Sequence, residues 1–254
     1  MKYEIAGTIM QTLSIELASG DKIYSQTNSM AWMNDQIDMN TSTGGGFFSG
    51  IKRSLTGGSF FVTDFTSRGN GQISFAPRFP GKILAKKLAE NESLICRKES
   101  FLCAEKSVSL ELAFQKNIGS GLFGGQGFIL QKVTGPGTVW LDLSGEVTEK
   151  HLAAGEKLLV HAGHIGVHTT SIDFDIQMVS GFKNILFGGQ GLFLATLTGP
   201  GHVLLQSMPI MHLAEEIAHY LPIQRSESVN TGGTGANTGS IIGGIIGGIV
   251  DGDN

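Results

Sequence analysis

The chain has 254 residues with a formal net charge of -4 and only 16% charged residues, against a customary ~25%. That balance excludes a strongly basic nucleic-acid binder, and 41% hydrophobic residues exclude wholesale disorder. Two cysteines, Cys96 and Cys103, are too few for a disulfide scaffold or a structural zinc site of their own. The opening stretch MKYEIAGTIMQTLSIELASG lacks the basic-then-apolar order of a signal peptide, and no apolar run reaches the ~18 residues of a spanning helix, so a cytoplasmic protein is expected.

Along the chain, three homologous units are expected, near residues 1–82, 83–145 and 146–221, the last with a closing helix. The strongest signal lies in the second and third. Leu122 to Leu141 reads LFGGQGFILQKVTGPGTVWL and Leu186 to Leu205 reads LFGGQGLFLATLTGPGHVLL, with a constant offset of 64 and 13 of 20 positions identical. In the first unit, Gly57-Gly58-Ser59 and Phe61-Val62 match the start of that block, and Gly69-Asn70-Gly71 matches Gly135-Pro136-Gly137. Upstream of each block, Leu17, Leu88 and Leu152 correspond, then Gly20, Asn91 and Gly155, then Asp21, Glu92 and Glu156. Met30, Phe101 and Ile165 continue the alignment.

Short segments rich in Val, Ile, Phe and Thr, separated by ASGD, TGG, GNG, PGK, TGPG and AAGEK, make each unit all-β. In TGPG, proline fixes φ and the following glycine accepts a positive φ. Phe128 to Val133 is nearly continuously apolar at first, which suits a strand covered on both faces. Units of ~60 residues bury too little alone and should share a core. Met211 to Leu221 spaces Leu213, Ile217 and Leu221 four apart before Pro222, which reads as a short amphipathic helix. Residues 222–254 form a Gly-rich low-complexity tail, in which Gly244-x-x-x-Gly248 is too short a setting to span a bilayer.

Chemical motifs are sparse. Gly119-x-Gly121-x-x-Gly124 satisfies a dinucleotide fingerprint in letters, but a strand-like segment follows where a helix is required. No Gly-Lys-Ser/Thr phosphate loop and no G-x-S-x-G elbow occurs, and no carboxylate pair stands out for acid–base work. His161, His164 and His168 form the densest histidine group. On an extended strand, residues three apart face opposite sides, and the aligned positions are Gln26 and Arg97, then Ser29 and Ser100, so no metal ligand set is expected. Cys96 and Cys103 read as small core fillers. Gly124, Gly125 and Gln126, repeated as Gly188, Gly189 and Gln190, are the most distinctive motif. Together with His164 they are the candidate ligand- or partner-facing residues, where missing side chains would let a partner approach the backbone. The competing reading of the glycines is a bulge or close packing between units. Lys52, Arg53, Arg68, Arg78, Lys82, Lys86 and Lys87 make the first half locally basic, as a phosphate patch or as charges guarding strand edges.

Several stretches together resemble the Altered Inheritance of Mitochondria (mitochondrial biogenesis) family. They are SMAWM (Ser29 to Met33), GIKRSLTGGSFFVTDF (Gly50 to Phe65), FAPRFPGKI (Phe75 to Ile83), both LFGGQG copies, TGPG, and the AGH of Ala162 to His164. The resemblance covers residues 1–221 and implies short double-stranded β-helix repeats similar to those of the tryptophan-binding RNA attenuation protein, in a trimeric assembly. It transfers no catalytic residue and no cofactor.

The expectation is therefore an all-β protein of three tandem units acting as a non-enzymatic scaffold or binding protein, self-associating as a homotrimer and open to a further protein partner. Low charge and Phe47, Phe48, Phe60, Phe61 and Phe65 fit faces buried between chains. A small-molecule or RNA binder by fold analogy comes second, with three Tyr and two Trp offering few stacking platforms. A cupin-like metal-dependent enzyme comes third. DNA binding is not expected, RNA binding is disfavoured, and membrane association has no support beyond the tail motif.

Overall fold

The computed structural model describes residues 1–26, 29–42, 62–116, 127–178 and 193–220. The first segment of the chain forms β1 (Lys2–Ala6), β2 (Thr12–Leu17), β3 (Lys22–Gln26), β4 (Met30–Met33), β5 (Ile37–Ser42), β6 (Val62–Ser67) and β7 (Gly71–Phe75). The second forms β8 (Gly81–Leu88), β9 (Ser93–Arg97), a 3-10 turn (Lys98–Ser100), β10 (Phe101–Glu105), β11 (Ser109–Lys116), β12 (Phe128–Thr134) and β13 (Gly137–Ser144). The third forms β14 (Val147–Leu152), β15 (Lys157–His161), a 3-10 turn (Ala162–His164), β16 (Ile165–Thr169), β17 (Asp173–Met178), β18 (Phe193–Thr198) and β19 (Gly201–Gln206), followed by α1 (Ile210–Tyr220). The protein is all-β with one short C-terminal helix, as the patterning indicates.

The strands pair antiparallel in four sheets: β1-β2-β7-β4, β5-β6-β3-β10-β13-β8, β11-β12-β9-β16-β19-β14, and β15-β18-β17. One order recurs: β2-β7-β4 returns as β8-β13-β10 and as β14-β19-β16. A second recurs beside it, β5-β6-β3 returning as β11-β12-β9 and β17-β18-β15. The two six-stranded sheets each weld one triplet of each kind, through β3 against β10 and β9 against β16. Cys103 lies opposite Ser25 in the first joint, and Val167 lies opposite Cys96 in the second.

Local chemistry explains the recurrence. Gly20, Asn91 and Gly155 carry φ of +87°, +63° and +77°, left-handed angles that glycine and, less freely, asparagine adopt. At each of these turns a carboxylate closes the loop: Asp21, Glu92 and Glu156 accept from the backbone N–H of Ala18, Ala89 and Ala153 at 2.9, 2.8 and 2.8 Å. The TGPG corners abut the same turns, since a Cβ on Gly135 or Gly199 would collide with the carbonyl of Ala89 or Ala153. Gly137 and Gly201 hold positive φ of +136° and +157°, the freedom anticipated after the proline.

Packing follows the alternation of the strands. In β2, Leu13, Ile15 and Leu17 point inward and are buried. β12 is buried on both faces through Phe128, Ile129, Leu130 and Gln131, as its apolar run requires. Trp140, Phe65, Phe75 and both cysteines belong to the core. Phe65 therefore departs from the expected interface role: it meets Phe75 edge-on inside the fold, with ring centres 5.8 Å apart. Phe47, Phe48, Phe60 and Phe61 lie outside the described residues. The basic residues follow the edge reading where they are described: Lys82, Lys86 and Lys87 sit on β8, an edge strand, and Arg68 pairs with Asp38 at 3.1 Å. Lys52 and Arg53 lie outside the described residues.

One ionisable group strains against this core. Burial pushes the Asp142 carboxyl on β13 up to about 7, although the nearby Arg78 charge pulls it down. Its Oδ1 is buried without a partner. Between the ordinary carboxylate range and pH ~7 the unfolded chain releases this proton while the folded chain holds it, so stability falls as pH rises through that window and levels off above it. Asp142→Asn should therefore stabilise the protein relative to the parent by about 2 kcal/mol at pH 8 and by little at pH 4, as read from urea unfolding at both pH values.

Candidate functional site

The described polar chemistry gathers where the third unit meets α1. Arg97 ends β9 and His161 ends β15, aligned positions that each lead into a 3-10 turn. A 3-10 helix advances three residues per turn, so side chains at i and i+3 eclipse. His161 and His164 flank such a turn and come onto one side, with ring centres 5.8 Å apart. The extended-strand expectation that they face opposite ways is thus corrected by a single local turn. His168 goes elsewhere: it is buried on β16, stacked on Phe174 at 6.0 Å, with its Nδ1 2.9 Å from the Thr169 carbonyl. Burial lowers the His168 pKa, with that hydrogen bond opposing the shift.

α1 supplies the third member. A Cβ on Gly163 would meet the Pro209 ring at 3.0 Å, so the glycine lets the start of α1 settle against the turn. His212, in the first turn of α1, then stands with its ring centre 5.1 Å from His161 and 5.3 Å from His164. The three histidines present ligand atoms within 4.8 Å of one another, with His161 and His164 half-buried and His212 exposed.

A buried polar frame holds the turn. Gln206 Nε2 donates to the Gly163 carbonyl at 2.9 Å, and its Oε1 accepts the Ser144 N–H at 3.0 Å. Arg97 Nη1 donates to the same Gly163 carbonyl at 3.1 Å, and Arg97 Nη2 pairs with Glu99 at 2.9 Å. His164 Nδ1 lies 2.8 Å from the Gln206 carbonyl. A carbonyl only accepts, so Nδ1 carries a proton, and the tautomer this selects in a neutral ring has its lone pair on Nε2. Burial, then the His212, His164 and Arg97 charges, lower the His161 pKa to about 4, keeping its ring neutral.

Other candidates fall away or lie elsewhere. Burial pushes the Cys96 thiol up to about 12 and the Cys103 thiol well above its ordinary value, so both are inert core fillers as expected. Residues 128–134 form β12, so a strand stands where a dinucleotide site needs a helix. Gly124, Gly125, Gln126, Gly188, Gly189 and Gln190 lie outside the described residues. Glu149, His151 and His202 form a second group, fully on the surface across the β14–β19 pair. A shallow polar hollow of about 670 Å³ near Glu16, Asp21, Asn34 and Gln72 offers no reactive group. No described helix is long and apolar enough to cross a membrane.

Arg97 and His161, aligned in the sequence, each end a strand before a 3-10 turn, and His212 reaches the second of these turns through the packing of α1. The aligned glutamine of β19, Gln206, was missed, since a lone buried glutamine has no sequence signature.

These features define a class: an all-β protein of edge-shared antiparallel sheets with a histidine cluster beneath a C-terminal helix. The family model for mitochondrial biogenesis AIM24 matches residues 3–208, and the chain belongs to that family. An uncharacterised protein of Streptococcus pyogenes serotype M6 is 30% identical over 218 residues, covering 83% of this chain and 86% of its own. A crystal structure of a Streptococcus pyogenes protein superposes with a TM-score of 0.71 at 26% identity, covering 87% of this chain and 99% of that one.

Replacing Gln206 strips the Ser144 N–H of its acceptor while Arg97 still serves the Gly163 carbonyl. Gln206→Ala should cost about 1–3 kcal/mol in chemical denaturation. A cost under a few tenths would show that the glutamine does not hold the turn.

Proposed function

We propose that the protein is a non-enzymatic, cytoplasmic scaffold or binding protein that assembles with copies of itself. The observation that carries this reading is a pair of edge strands whose counterparts elsewhere in the chain are paired. β3 and β9 are joined to β10 and β16, but β15, their counterpart, is bonded to β18 alone, and β4, the counterpart of β10 and β16, is bonded to β7 alone among the described strands.

The side chains on these edges support the same reading. Trp32 on β4 is 55% exposed, whereas Cys103 and Val167 at the aligned positions are 0% and 2% exposed. Leu159 on β15 is 65% exposed, whereas the aligned Tyr24 is 1% exposed. Large apolar side chains on open strand edges invite strand addition.

Transferring the register of the two internal joints sets Trp32 opposite Val160, Met33 opposite Leu159 and Asn34 opposite Leu158. A head-to-tail contact of this kind either closes into a ring or runs on as a filament. We favour closure as the homotrimer that the family resemblance implies. The free, buried thiols of Cys96 and Cys103 are in keeping with a reducing compartment.

Light scattering on the full chain should give a trimer, and Trp32→Lys should shift it to monomer at micromolar concentration. A chain carrying both Met33→Cys and Leu159→Cys should form chain-to-chain disulfides on oxidation, because opposed antiparallel residues bring Cα atoms within bridging distance. A monomeric parent, or a bridge that closes only within one chain, would sink the assembly.

A further inference from the structure

We propose that His161, His164 and His212 form a binding site for one divalent transition-metal ion of the zinc class, which clasps α1 onto the 3-10 turn of the third unit. His161 is the last residue of β15, one position beyond Val160, and the proposal does not rest on self-assembly.

Geometry comes first. An imidazole binds such an ion at about 2.1 Å, and a tetrahedral arrangement then spaces ring centres by about 5.2 Å. The three spacings here are 5.1, 5.3 and 5.8 Å. Small side-chain rotations of His212, exposed on α1, can close the remaining gap.

Ligand chemistry agrees. His161 Nδ1 is buried with no hydrogen-bond partner, a state that costs free energy and that a metal ion would satisfy. His164 donates Nδ1–H to the Gln206 carbonyl. That is the outer support seen behind metal-bound histidines, where the other ring nitrogen is left free for the ion. Three imidazole ligands and, among the described residues of the cluster, no carboxylate favour zinc, copper, nickel or cobalt over calcium or magnesium.

The Arg97 cation beside the cluster is compensated. Arg97 approaches from β9, but Glu99 pairs with it at 2.9 Å. Among the described residues three protein ligands converge, and a tetrahedral ion then has a fourth position for water or another ligand.

The surface group of Glu149, His151 and His202 is a weaker competitor. Its histidines are directly opposed across two strands, and all three members are exposed. None of them has a buried nitrogen lacking a partner among the described residues.

The test uses the tag-free full-length chain stripped with chelator, titrated with Zn²⁺ by calorimetry and with Co²⁺ by visible absorption. One ion per chain, a tetrahedral Co²⁺ spectrum and a raised melting temperature are expected. His161→Ala, His164→Ala and His212→Ala should each weaken Zn²⁺ binding by roughly 100-fold or more, while His202→Ala should leave it unchanged. His212→Ala is the decisive variant, since its side chain is exposed and the chelated variant should melt like the chelated parent. Unchanged affinity in His212→Ala, loss of binding in His202→Ala instead, or no stoichiometric binding by the parent would overturn the site.

Discussion

The edge-to-edge joint between neighbouring units governs this structure. A unit of this size cannot bury enough apolar surface alone, and a three-stranded sheet ends in two rows of unpaired backbone groups. Pairing β3 with β10 and β9 with β16 answers both needs at once. It satisfies backbone donors and acceptors and covers Ser25, Cys96, Cys103 and Val167. Among the described strands, β4 and β15 at the two ends of the series are each paired on one side only.

Repetition fixes the frame and frees the polar positions within it. The turns at Gly20, Asn91 and Gly155 keep one backbone shape and one carboxylate contact in every unit. The residue before the 3-10 turn does not keep its chemistry: Arg97 precedes the turn of the second unit and His161 that of the third. In the second unit the arginine spans the joint to the Gly163 carbonyl. In the third unit no further joint lies beyond, and the position faces α1. The same divergence appears on the last strand of each unit, where Asp142 has a buried oxygen without a partner and Gln206 bonds two backbone groups.

The C-terminal helix gives the last unit a different ending from the others. Pro209 packs over Gly163, and α1 then brings His212 to two histidines of the turn. A position that in the second unit serves a structural salt bridge becomes, in the third, one corner of a nitrogen-rich cluster. The cluster forms at the end of the series, where α1 rather than another described strand meets this position.

The strand-rich class, the turn positions, the burial of β12 on both faces and the helix after the last strand are legible in the order of residues alone. Those features depend on neighbours in sequence: alternation, glycine and proline at corners, and a four-residue apolar spacing before Pro222. The periodic matches between Leu17, Leu88 and Leu152, and the carboxylates three turns share, were likewise readable. What only the tertiary structure decided was which strands meet and which side chains converge. Phe65 faces Phe75 in the core because the pleat of β6 puts it on the face opposite Asp64 and Thr66. His161 and His164 joined because one 3-10 turn replaced an extended path, and His212 joined them from 48 residues beyond by helix packing. Contacts between residues remote in sequence depend on how whole sheets and helices pack, and no local pattern of letters encodes that.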